Sequence, residues 1–194
     1  MKKILMTLTL LALVGFLSGC AWLEEPEPDY RAAMIEAALR ADVEAGRAAA
    51  QARDLRLDAA GSTDARIDFD ELLLLARYLK LRAGDERLSD EQRLCTGEVL
   101  LNRAAAPDFP DTLRELLDGD EAFCTAEPSL LPDRRSADAA WELLDGRRLL
   151  DPCVLYQSEG APCGPVYATF CDRYYRYTYF CLTEHPELYE ETLG

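Results

Sequence analysis

The stretch Leu72 to Phe123, LLLLARYLKLRAGDERLSDEQRLCTGEVLLNRAAAPDFPDTLRELLDGDEAF, decides the fold. Asp68 with Glu71 makes an Asp-x-x-Glu cap just ahead of it, and Leu72, Leu75, Ala76 and Leu79 then share one helical face. Ser89 with Gln92 offers a second cap. It opens a helix through Leu94, Val99, Leu100 and Leu101 that is apolar enough to be central. Leu113 to Asp118 reads as a short helix stopped by Gly119, and Ser136 to Asp145 as another stopped by Gly146. After Pro152 the texture changes. Val154-Leu155-Tyr156, Val166 to Phe170 and Tyr174 to Phe180 are β-branched and aromatic runs between turn-rich pieces, which predicts strands. Helices followed by a small sheet make an α+β domain of roughly 120 residues, enough for one core.

Upstream, Ala21 to Asp29 holds Pro26 and Pro28 among acids and reads as an extended linker. Tyr30 to Ala60 has no proline and is rich in Ala, Arg, Glu and Asp. It reads as one long helix of roughly 45 Å at about 1.5 Å per residue. Met34, Ile35, Leu39, Val43, Leu55 and Leu57 give it only a thin apolar stripe, broken by Gly46. The preferred reading is a spacer that packs loosely on the body or stays solvated; a coiled-coil seam for a partner is the alternative. Gly61-Ser62-Thr63 marks the break before the main domain.

Residues 1–19 read as a secretory signal, with Lys2 and Lys3 ahead of the apolar run Ile4 to Phe16. Leu17-Ser18-Gly19-Cys20 resembles a bacterial lipobox, which implies cleavage before Cys20 and lipidation of its thiol. Residues 20–29 would then be anchor and linker, holding the body on the extracytoplasmic face of a membrane in the cell envelope. Removing residues 1–19 takes away two lysines and no acid, so the formal charge moves from -15 to -17. So acidic a body is repelled by phosphate backbones, which argues against nucleic acid as a partner.

Six cysteines remain beyond Cys20: Cys95, Cys124, Cys153, Cys163, Cys171 and Cys181. An even count outside the cytoplasm favours disulfides, although six cysteines permit 15 pairings. The preferred set is Cys95–Cys124, Cys153–Cys163 and Cys171–Cys181. With no Cys-x-x-Cys pair and one histidine, His185, a zinc site is not expected. No cofactor is implied.

The ordered motifs of the central stretch resemble the SleB-like cell-wall hydrolases, the family of spore cortex-lytic enzymes. In that family an apolar helix ends in Glu-Ala-x-Gly-Glu, and Glu-Gly-x opens a second helix. That helix ends in Leu-Asn-Arg, followed by Phe-Pro-x-Thr and Gln-Phe. The matching positions here are Arg82-Ala83-Gly84-Asp85-Glu86, Glu91-Gln92-Arg93, Leu101-Asn102-Arg103, Phe109-Pro110-Asp111-Thr112 and Ala122-Phe123, with two extra residues between Glu86 and Glu91. The tract VLYQSEGAPCGPVYATFCDRYY also resembles the family's closing strand and hairpin. The resemblance implies a lysozyme-like helical domain with a small C-terminal antiparallel sheet over residues 68–185, followed by a tail at 186–194. It implies peptidoglycan glycan strands as the substrate, cleaved by a glutamate in a cleft between helices and sheet.

That glutamate falls on Arg82, and a guanidinium has no proton to deliver on demand. Two readings stand. A nearby carboxylate, Glu86 or Asp85, substitutes as the acid, with Arg82 as its positive neighbour. In the other, the cleft has lost catalysis and binds glycan or only scaffolds. Arg82, Asn102, Tyr156 and Tyr167 are the candidate substrate-binding residues, although Asn102-Arg103 at a helix end also suits a bracing role. Glu98 is expected in a surface ion pair, and Phe109 and Phe123 in the core. Tyr175, Tyr177 and Tyr179 alternate onto one sheet face, which is expected to pack on the helices. No serine or cysteine stands in a recognisable nucleophile setting, so a triad is not expected.

Overall fold

The computed structural model describes residues 28–186. The signal peptide, Cys20, most of the linker and the tail beyond Pro186 lie outside the described residues. Seven α-helices precede three strands: α1 (Tyr30–Arg40), α2 (Val43–Ala60), α3 (Phe69–Ala83), α4 (Asp90–Ala105), α5 (Leu113–Asp118), α6 (Glu121–Ala126), α7 (Arg134–Leu144), β1 (Val154–Glu159), β2 (Val166–Cys171) and β3 (Tyr177–Leu182). This is an α+β arrangement.

The helix starts follow the capping chemistry read from the sequence. Asp68 accepts hydrogen bonds from the Asp70 and Glu71 amides, and Ser89 accepts one from the Gln92 amide. Thr112 and Asp133 cap α5 and α7 in the same way. Each such cap stabilises by about 1 kcal/mol, because it satisfies an amide that no carbonyl of its own helix can reach.

The expected single helix over Tyr30–Ala60 is two. Ala41 takes a left-handed conformation (φ 51°). Its amide bonds the Ala38 carbonyl at 3.0 Å and the Asp42 amide bonds the Ala37 carbonyl at 2.9 Å, which closes α1. Asp42 then caps α2 by accepting from the Ala45 amide at 3.1 Å. Nor is the segment a solvated spacer. Met34, Ile35, Ala37 and Ala38 are fully buried in the same core as Leu72, Leu75, Leu79, Ala140 and Leu143. Arg31 pairs with Asp138 and Glu36 with Arg134, tying α1 to α7. The thin stripe was enough because alanines extend it: small side chains let helices approach closely. Gly46 does not interrupt this packing but permits it, since a Cβ there would lie 2.2 Å from the Phe69 ring.

The sheet has the order β1-β3-β2, all antiparallel. Cys95 and Val99 of α4 pack against Val154 and Phe180, forming the contact between helices and sheet. Polar bridges run alongside it. Gln92 Nε2 donates to Thr178 Oγ1 at 3.0 Å, and Arg103 Nε to the Leu155 carbonyl at 2.6 Å. Asn102 Nδ2 donates to the Asp151 and Val154 carbonyls at 3.0 and 3.2 Å. The tyrosine alternation comes out opposite to expectation. Tyr175 sits in the β2–β3 turn with φ 61°, so the strand begins only at Tyr177. Thr178 and Phe180 are the buried pair, and Tyr177 and Tyr179 stack on each other from the other face at 6.1 Å.

None of the three expected disulfides forms: Cys95, Cys124, Cys163, Cys171 and Cys181 carry free thiols, and every expected pair includes at least one of them. Cys95 faces the helix–sheet contact, where burial, with Glu98 and Glu91 nearby, pushes its thiol up to about 12. Cys124 is exposed on α6 and donates to the Leu117 carbonyl at 3.3 Å. Among the described residues no helix is long and apolar enough to cross a membrane.

Candidate functional site

Where α3 ends and α4 begins, the helices stand opposite the tip of the sheet, and a groove of about 570 Å³ opens between them. Arg82, Asp85, Leu88 and Gln92 form its helical wall; Gln157, Glu159, Gly160, Asp172 and the segment Tyr175 to Thr178 form the other. A second hollow of about 350 Å³ shares Arg82, Gln157 and Glu159 with it and continues toward Tyr78, Arg103 and Asp120. The two together make one trough with Arg82 at its middle. Gln157 and Glu159 reach it together because residues two apart on a strand share a face.

The groove's charges are mostly locked in pairs. Arg82 forms a salt bridge with Asp120, the residue that caps α6. Burial works against ionisation of Asp120, but hydrogen bonds from Arg82 and from the Phe123 and Ala122 amides outweigh it, and the carboxyl lies below its usual range. Asp172 is held in the same way. Burial opposes its charge, while the Arg176 amide and guanidinium and the Tyr174 amide win, at 3.0, 2.7 and 2.8 Å. Arg176 also reaches Asp85 at 3.9 Å. The Arg87 side chain and amide hold Asp85 far below the ordinary carboxylate range. Tyr78, at the far end, has its phenol pushed up by burial, only partly countered by Arg103 and Arg82.

Glu159 differs from the other acids. It lines both hollows, and its charge is felt at Arg82, yet its carboxylate makes no hydrogen bond or salt bridge to a described residue. It is the carboxylate in the trough that remains open to a ligand.

The residues expected at the site separate into three sets. Arg82 and Asp85 line the groove. The guanidinium neighbours of Asp85, Arg87 before Arg176, favour its ionised form, the opposite direction from a proton donor. Glu86 is exposed and outside the groove; its backbone carbonyl faces Arg135 instead. Asn102 is 8% exposed with its amide group committed to two backbone carbonyls, so it braces β1 rather than meeting a ligand. Tyr156 lies under the Arg103 guanidinium at 5.7 Å, beside the trough rather than in it. Tyr167 is on β2, which β3 separates from β1, and it does not line the groove. Glu98 pairs with no cation among the described residues. It is fully buried and accepts the Leu149 and Leu150 amides at 2.8 and 3.1 Å.

Sequence reasoning missed Glu159, Gln157, Tyr175, Tyr177 and Asp120. The first two were within reach, since the period-two rule applied to β1 places them together. Tyr175 was not, because its position depends on a turn whose left-handed residue is a tyrosine. Asp120 was visible only as an acid ahead of a short helix. Exposed tyrosine rings, amide and carboxylate acceptors and clamped guanidinium donors together can stack on and hydrogen-bond a flat polyhydroxylated ligand. No family model, curated protein or solved structure matches this chain.

Proposed function

We propose that this chain is a lipid-anchored envelope protein, held through Cys20, whose trough seats a glycan strand of peptidoglycan and binds it without cutting it. One observation carries the reading: an open groove lies between the helical half and the sheet, and the middle of its helical wall is a guanidinium clamped by Asp120. The ordered sequence motifs resemble those of the SleB-like hydrolases, which supports glycan as the ligand. Cleavage requires a carboxylic acid protonated near neutral pH beside the scissile bond. Asp85, Asp120 and Asp172 are all held below their usual range, the opposite of what such an acid needs. The groove's aromatic and paired polar lining serves recognition equally well without one.

The test uses the chain from Ala21 onward with purified, insoluble peptidoglycan sacculi. Retention at moderate salt with no soluble muropeptides released is expected. Tyr175→Ala combined with Tyr177→Ala should weaken retention by about tenfold, as for loss of about 1.4 kcal/mol of stacking. No retention of the parent chain refutes the reading.

Glu159 favours a second reading, in which the trough still cleaves glycan. As the unclamped carboxylate in the groove, it is the residue that would act. Release of muropeptides that Glu159→Gln abolishes would establish this reading over the first.

A further inference from the structure

Cys163 lies in the β1–β2 loop, exposed, and Cys181 lies in the middle of the sheet on β3, buried. The chain brings them together through the end of the loop. The Leu182 amide donates to the Pro165 carbonyl at 2.9 Å, and Val166 is the register partner of Cys181. Gly164 runs so close to β3 that a Cβ built on it would stand 3.1 Å from the Leu182 carbonyl and 3.7 Å from Cys181 Cβ. A side chain at 164 would push this segment away. With glycine there the loop settles onto β3, which brings the Cys163 thiol near enough to Cys181 to help raise that buried thiol's pKa, after burial itself. Cβ atoms in a disulfide stand about 3.5–4.5 Å apart, and the position next to Cys163 already places a built Cβ 3.7 Å from Cys181 Cβ.

We infer that Cys163 and Cys181 form a redox clasp, a disulfide made by exchange with a low-molecular-weight or protein disulfide, which pins the β1–β2 loop to the central strand. The exchange runs in two displacements. The exposed Cys163 thiolate attacks one sulfur of the oxidant R–S–S–R and expels RS⁻, leaving Cys163 as a mixed disulfide. The Cys181 thiolate then attacks Cys163 Sγ and expels the second RS⁻. Two protein thiols are oxidised, one external disulfide is reduced to two thiols, and the two protons go to solvent or the departing thiolates. The second displacement is the slow one, because burial disfavours the Cys181 thiolate and raises its pKa above the ordinary range. Closure therefore accelerates as pH rises.

The clasp acts on the groove through its geometry. The loop it fixes begins at Gly160, next to Glu159, and both residues line the groove wall. Without the bond, the loop is held by hydrogen bonds alone, from the Gly160 amide to the Tyr177 carbonyl at one end and from the Leu182 amide to the Pro165 carbonyl at the other. This inference concerns the thiols alone and stands whether or not the groove binds glycan.

The experiment uses the full chain in detergent, treated with oxidised glutathione across pH 7 to 10, then alkylated and digested for peptide mass analysis. The expected product is a peptide pair joined through Cys163 and Cys181, two hydrogens lighter than the reduced pair. Its rate should rise at least tenfold over that range. Cys181→Ser should stop at the glutathione adduct on Cys163, and Cys163→Ser should give no linked pair at Cys181. Circular dichroism of both variants checks that they fold. A dominant disulfide joining either cysteine to any other residue overturns the inference. So does equal alkylation of Cys163 and Cys181 before and after oxidation in the folded parent chain.

Discussion

Replacing Glu98 by alanine tests the account of how the helices hold the sheet. The carboxylate is fully buried on α4 and accepts two amides, Leu149 at 2.8 Å and Leu150 at 3.1 Å. Those amides belong to the segment that leads from α7 into β1, so this side chain fixes where the sheet begins. Removing it leaves two amide donors with no acceptor, at about 1–3 kcal/mol each. Against this, the variant no longer desolvates a carboxylate, which returns part of that loss. The net expectation is about 3 kcal/mol of destabilisation. Glu98→Gln keeps the shape and one carbonyl acceptor but turns its NH2 toward the second amide, so about half the loss is expected.

Urea unfolding followed by far-UV circular dichroism reads both variants. With a slope of about 2 kcal/mol/M, the alanine variant's midpoint should fall by about 1.5 M and the glutamine variant's by about half that. A surface carboxylate would give less than about 0.5 kcal/mol for either change. An alanine variant within that limit, or a glutamine variant less stable than alanine, would refute the assignment.

Gly46→Ala should destabilise by about 1–3 kcal/mol despite the better helix propensity of alanine, because its Cβ meets the Phe69 ring at 2.2 Å; a raised melting temperature would count against this packing. Asp120→Asn should cost stability at neutral pH, since asparagine still caps α6 but no longer pairs with Arg82. The folded pKa of Asp120 lies below its unfolded value. Its contribution is therefore complete above the unfolded value of about 3.9 and lost as pH falls through the folded one, so parent and variant should converge in acid. Arg82→Glu puts a carboxyl beside Asp120 and Glu159, and repulsion from both should lift its pKa above the ordinary value of about 4.3; an NMR titration at or below that value would contradict the geometry.

Much of the helical frame could be read because its signals are local. Asp68, Ser89 and Gly119 act on amides and carbonyls within a turn of themselves, so their meaning does not depend on distant packing. The break at Ala41 is different. Alanine is the best helix former, and its left-handed conformation here goes with the closing hydrogen bonds of α1 and with burial of Met34 and Ile35 in the helical core. Glu98 and Arg93 show the same limit. Both are charged residues on α4 that burial makes structural, Arg93 with desolvation lowering its pKa. Charge patterning assigns such residues to the surface, and only the tertiary contacts of α4 reverse that. The disulfide set failed for a related reason: closeness in sequence paired Cys171 with Cys181, whereas strand register places Cys171 opposite Tyr177.

The trough also separates the residues that build the frame from those that line it. Asn102 and Arg103, the end of the most recognisable motif, spend their donors on the Asp151, Val154 and Leu155 carbonyls. Their work is to set β1 against α4, and that spacing creates the groove whatever stands in it. Arg82 does no such work. It sits near the end of α3, half exposed and paired only with Asp120, so its identity can change without disturbing the frame. The groove and the group at position 82 therefore depend on different residues. A guanidinium at that position then does something an acid does not. It favours the ionised form of Asp120 and leaves Glu159 lining the same trough, a pattern of donor and acceptor in place of a lone carboxyl.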